Sequence, residues 1–165
     1  MVKIIGLEKV MQSIKAKLDF SDPFVINELG EETVRLIKGF TRSGESIAKT
    51  PEPVPLKPLS EGYKRFRRKV AAGLKEIKPD PDFFTPEFSN LTLTGQMLNS
   101  INFIQGPPNE SSFTVKPFGT RNDGLTNEEV ARRVSDNGRE FIGLHDKGVE
   151  QLRQIILRNL RRRLK

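Results

Sequence analysis

Leu91-Thr92-Leu93-Thr94-Gly95-Gln96-Met97-Leu98-Asn99-Ser100-Ile101 is the stretch on which the fold turns. The Thr94 hydroxyl can accept a bond from a backbone N–H just downstream, as a helix N-cap does. Met97, Leu98 and Ile101 then fall on one side at helical spacing. Two short β-type runs follow, Ile101-Asn102-Phe103-Ile104 and Phe113-Thr114-Val115-Lys116, around the turn-rich Gly106-Pro107-Pro108-Asn109-Glu110-Ser111-Ser112. Such a pair reads as a hairpin. A short helix feeding a hairpin, in a chain whose other periodic segments are helical, predicts an α+β fold. A small antiparallel sheet around residues 101–118 should carry helices on one face or around it. Val54-Pro55-Leu56 or Phe141-Ile142 could add edge strands.

Working outward, residues 6–18 place Leu7, Val10, Met11, Ile14 and Leu18 on one helical face, with Lys9, Lys15 and Lys17 off it. Asp22-Pro23 is an N-cap followed by proline at the first helical position, opening a helix over 23–40. Ser60 opens a basic helix over 60–76 with the stripe Tyr63, Phe66, Val70, Leu74 and Ile77. Thr126-Asn127-Glu128-Glu129 is a capping box for a short helix to Ser135. Val149, Leu152, Ile156, Leu160 and Leu164 define a final helix over 148–164, with Asp146 expected as its cap.

Two segments lack periodicity. Residues 43–58 hold Pro51, Pro53, Pro55 and Pro58 and read as a semi-rigid extended arm. A loop this long in a small domain is usually functional or disordered, and the arm with Pro51, Pro53 and Pro55 is expected to mediate self-association. Residues 78–90 form a second proline-rich loop carrying Phe83, Phe84 and Phe88. These rings either pack back on their own domain or anchor on a neighbour, where aromatic residues supply much of the binding energy.

At 165 residues, 35% of them hydrophobic, the chain is expected to form one domain spanning 1–165. No run approaches the ~20 apolar residues that cross a bilayer, and no membrane contact is expected. The N-terminus lacks the apolar stretch of a signal peptide, and the absence of cysteine fits a reducing compartment. Net charge is +7, spread unevenly. Residues 61–78 carry seven basic side chains against two acidic ones, and residues 151–165 carry six against none. Arg65, Arg67, Arg68, Arg161, Arg162 and Arg163 are therefore candidates for contact with DNA or an acidic partner. Solvated helix faces, and for the last three the helix dipole, explain the same charges structurally.

Little in the sequence points to catalysis. His145 stands next to Asp146 but has no second histidine or cysteine to complete a metal or acid–base constellation. Asp80-Pro81-Asp82 lacks the further oxygen ligands a Mg²⁺ site needs. Gly119 to Gly124 is turn chemistry without nucleotide-binding spacing, and no serine sits in an elbow motif. The expectation is a non-enzymatic protein without a cofactor.

The exact wording of 91–101 resembles the Leu-Thr-x-Thr-Gly-x-Leu-x-x-Ser-Ile element of tailed-phage tail-completion and virion-morphogenesis proteins. Lys57-Pro58-Leu59-Ser60 resembles that family's Pro-Leu-Ser element, which also opens a basic helix. Asn137-Gly138-Arg139-Glu140-Phe141-Ile142-Gly143-Leu144 is similar to its Pro-x-Arg-x-Phe-Leu-Gly-Leu turn, again before a long last helix. The family's frequent tryptophan before Pro-Leu-Ser is absent, and its Tyr-Ala-x-x-His-x-x-Gly element survives only as Val130-Ala131 and Gly138. The resemblance implies a structural virion protein, assembled in the host cytoplasm into the head–tail neck. There it would form a homo-oligomeric ring between a head-completion connector and a tail terminator or tail tube, with packaged DNA as a further contact. The alternative, from the charge alone, is a basic module that binds nucleic-acid phosphates without reading sequence.

Overall fold

The computed structural model describes residues 23–47, 53–89, 91, 94–107 and 112–163. The expected helix over 6–18, the cap Asp22 and Pro51 of the arm lie outside them.

Helix α1, Pro23–Arg42, is the element around which the others gather. Leu29, Thr33 and Ile37 recur every fourth residue and are fully buried, with Val25 and Leu36 beside them. The helix continues past the expected end at Phe40, because the buried Thr41 hydroxyl donates to the Ile37 carbonyl at 2.8 Å and keeps the last turn satisfied.

The strand that Val54-Pro55-Leu56 could supply is formed at Val54–Pro55, but it pairs within the arm and not with the hairpin. The base of the arm is folded: strand β1, Glu45–Ser46, pairs antiparallel with strand β2, Val54–Pro55. The Leu56 amide then closes back on the Gly44 carbonyl at 2.6 Å, and Leu56 and Leu59 are buried. Leu56 within the arm and Leu59 just past it, hidden among prolines, give this stretch something to bury.

Helix α2, Glu61–Ala71, starts where expected, with the Ser60 hydroxyl accepting from the Tyr63 amide at 3.3 Å. It ends five residues before the expected Glu76. Gly73 takes φ +71°, its amide donates to Val70 and the Leu74 amide donates to Lys69, which is a Schellman cap. Leu74 therefore leaves the stripe. The side chain the helix buries most deeply is Arg67, 1% exposed, ahead of Val70.

The opening stretch forms the one-turn helix α3, Gln96–Asn99, followed at once by strand β3, Ile101–Gln105. Its N-cap is Gly95, with φ +69°, and not Thr94. The Thr94 oxygen lies 3.5 Å from the Gln96 amide, at the outer limit of a hydrogen bond. Strand β4, Phe113–Pro117, pairs antiparallel with β3, Phe103 opposite Val115. Ile101, Phe103, Val115 and Pro117 face α1, and the Phe103 ring sits where a Cβ on Gly30 would come within 2.5 Å. The alternate residues Thr114 and Lys116 face the other way.

Helix α4, Asn127–Asp136, opens with the full capping box: Thr126 accepts from the Glu129 amide at 3.1 Å and Glu129 accepts from the Thr126 amide at 2.9 Å. These bonds, led by the backbone one, hold the Glu129 carboxyl below its ordinary value of 4.5. The box therefore contributes its stability at neutral pH and loses it as pH falls through that lowered value. Thr126→Ala should cost about 1 kcal/mol, whereas Thr94→Ala should cost under about 0.5 kcal/mol; urea denaturation of the two variants checks the ordering.

Helix α5, Asp146–Arg163, is capped by His145 rather than Asp146. His145 accepts twice, its carbonyl from the Val149 amide at 2.9 Å and its Nδ1 from the Gly148 amide at 3.0 Å. Histidine can cap in this way because its ring is buried against Phe40, 4.6 Å between centroids.

The fold is α+β, with five helices and two separate two-stranded sheets among the described residues rather than one sheet. Phe141 and Ile142 add no strand; they are buried in a turn. The core joins α1 (Leu29, Ile37), α3 (Leu98), the hairpin (Ile101, Val115) and α5 (Leu152, Ile156) around Phe141.

Candidate assembly interface

The three segments that carry the family resemblance meet in space. Arg139 donates through Nε to the Lys57 carbonyl at 3.1 Å and through Nη2 to the Pro58 carbonyl at 3.0 Å. One guanidinium thus ties the Pro-Leu-Ser segment to the 137–144 turn across about eighty residues of chain. That turn also holds the arm: the Ser46 hydroxyl and the Ile47 amide both donate to the Glu140 carbonyl. Phe141, Ile142 and Leu144 then share the core with Met97, Leu98 and Ile101 of the opening stretch. Arg139 was not among the expected site residues, because a lone arginine in a turn has no periodicity to mark it.

The Phe-rich loop is organised by two arginines and an aspartate. Asp80 is buried, and its Oδ1 accepts from the Asp82 and Phe83 amides at 3.1 Å each. The Asp-Pro-Asp segment is thus a turn staple. Arg67 donates to the Thr85 carbonyl at 2.6 Å and lies 4.8 Å from the Phe84 ring centroid. Arg42 stacks over Phe83 at 4.0 Å, and the Phe88 ring packs on Gly44. All three rings therefore rest on their own chain, yet Phe83 keeps 39% and Phe88 47% of its surface exposed. Phe84 is half-buried.

The basic candidates separate sharply. Arg67 is removed from the set of surface contacts: the loop covers it, and burial draws its pKa below the ordinary arginine value. Arg68 faces solvent but is held by both carboxylate oxygens of Glu87, whose bonds raise the Arg68 pKa and lower that of Glu87. Arg65 is exposed on α2 and Arg161 on the last turn of α5; the Arg162 and Arg163 side chains are outside the description.

His145 is structural. With Nδ1 accepting from Gly148, Nε2 is the ring nitrogen left to donate, and it lies 3.5 Å from a Glu45 carboxylate oxygen. Among the described residues no three histidines or carboxylates cluster as a metal would require, and no helix is long and apolar enough to cross a membrane.

Sequence reasoning did not find a groove of about 780 Å³ between β4, α4 and residues 140–144. Its lining includes Phe118, Ala131, Phe141 and Leu144. Glu128, Glu129 and Glu140 also line it, against Lys116 and Arg132. Lys116 is already paired with Glu128 at 3.2 Å. Residues from β4 and the turn after it, α4 and 140–144, with Ile47 from far upstream, build this cavity only by packing together, so no local pattern announces it. Compared with known proteins, the chain matches no family model, no curated protein and no solved structure.

Proposed function

We propose that this chain is a structural protein of the head–tail neck of a tailed bacteriophage, forming a ring that joins the head connector to the tail. The observation that supports the reading is the junction at Arg139. The three segments resembling the tail-completion family are the ones that lock together, two through the Arg139 guanidinium and two through the shared core. A motif set that builds one frame is what a shared scaffold would retain. In this reading the 43–58 arm and the half-exposed Phe83 and Phe88 meet neighbouring subunits, the connector or the tail.

Mass photometry across concentrations, with negative-stain micrographs of the largest species, tests the proposal. Closed rings of one size are expected. A chain that stays monomeric at every concentration and does not dock onto connector-bearing heads sinks it.

The nucleic-acid module draws support from Arg65 and Arg161, both exposed, and loses it at Arg67 and Arg68, one buried and one paired. The free protein should bind duplex DNA weakly at physiological salt, with log affinity falling linearly against log salt. Tight binding abolished by combined Arg161→Ala, Arg162→Ala and Arg163→Ala, with folding intact, would favour that module instead.

A further inference from the structure

We infer that the subunits join head to tail, the C-terminal end of α2 of one copy seating in the groove beside α4 of the next. This rests on the ring reading and names the two surfaces such a ring needs.

The first surface is the end of α2. In a Schellman cap the residue after the glycine usually packs back on the position five residues earlier. Here that position is the exposed Lys69, and Leu74 is left 70% exposed. No other large hydrophobic side chain in the description is as bare. Ala71 and Ala72 beside it are exposed as well. Lys69, Lys75 and Lys78 flank this apolar end against the single carboxylate of Glu76. None of the three lysines forms an ion pair among the described residues. The helix packs on the 78–89 loop and contributes no residue to the main core, so its end is presented outward.

The second surface is the groove. Its apolar lining is bordered by three carboxylates and two cations; Lys116 and Glu128 pair with each other, which leaves Glu129 and Glu140 against Arg132. An apolar end set among lysines matches an apolar groove with a net negative border. The apolar part supplies binding energy, and the charges steer and orient the approach. Because the two surfaces are different patches of one chain, the contact is heterologous. It leaves one free end on each copy and propagates until the rotation closes a ring.

Two variants of the full chain test this by sedimentation velocity, with circular dichroism to show that each stays folded. Leu74→Asp spoils the first surface, and Glu128→Lys with Glu140→Lys spoils the second; all three positions are exposed. Each variant alone should raise the concentration needed for rings at least ~10-fold, the scale of a lost interface anchor. Mixed together they retain one good surface apiece and should give a one-to-one dimer and nothing larger. Rings that persist in either variant, or a mixture without dimers, overturn the head-to-tail contact while leaving the ring reading in place. A wild-type chain that never assembles removes both.

Discussion

Gly95→Ala is expected to lower stability by about 3 kcal/mol in urea denaturation, far more than a surface alanine substitution. Two costs combine. The left-handed backbone at φ +69° carries roughly 1–2 kcal/mol for a residue with a Cβ. The new methyl would also arrive 2.3 Å from Oδ2 of Asp80 and 2.9 Å from Nδ2 of Asn99, an overpacking worth about 1–3 kcal/mol. Gly124→Ala separates the two terms. Its φ is +83° and nothing lies within 4 Å of the added carbon, so only the conformational part, about 1 kcal/mol, should appear. Equal losses at the two sites would mean that the Asp80 carboxylate swings away at no cost. Because Asp80 staples the turn before Phe83, Gly95→Ala should also quicken amide hydrogen exchange at Asp82 and Phe83.

Arg67→Ala should cost a similar amount, about 3 kcal/mol, whereas Arg65→Ala should stay within about 0.5 kcal/mol. The two residues are two positions apart on one basic helix and look interchangeable by charge. Arg67, however, is enclosed, bonded to the Thr85 carbonyl and covered by Phe84. Truncating it opens a cavity at the buried Arg67 side chain and removes the donor of its part-buried bond to the Thr85 carbonyl. Arg67→Met, which keeps most of the volume, should recover part of the loss. If alanine is tolerated equally at both positions, the 78–89 loop does not depend on α2 for its order.

Helices with an apolar repeat and a local cap were legible in the sequence: α1 from its leucine and isoleucine spacing, α4 from Thr126 and Glu129, α5 from Leu152 and Ile156. The hairpin was legible because both strands and their turn are contiguous. What escaped depends on partners far along the chain. Stripe counting carried α2 through Leu74 because Gly73 looks like a tolerated helix interruption until its cap bonds are seen. Arg67 was classed by its charge, since no local signal says that a loop eighteen residues away supplies a carbonyl and a ring. Thr94 and Asp146 were named as caps by residue type, yet the neighbours Gly95 and His145 do the capping, one through backbone freedom and one through a ring nitrogen. The candidate site was the least legible part, because the Arg139 junction forms only once residues 57–58 and 139 have met, and the groove only once β4, α4 and residues 140–144 have packed together.

The central place of α1 has a consequence for synthesis on the ribosome. Its buried face, with Leu29 and Ile37, is completed by the 101–117 hairpin and by Leu152 and Ile156 of α5. About 120 residues must be translated after α1 before its last partner exists. At 5–20 residues per second that is on the order of 6–24 s during which an amphipathic helix waits uncovered. Over this interval the nascent chain has every reason to bind a chaperone at residues 25–37, and release should coincide with the emergence of the final helix rather than with any earlier element.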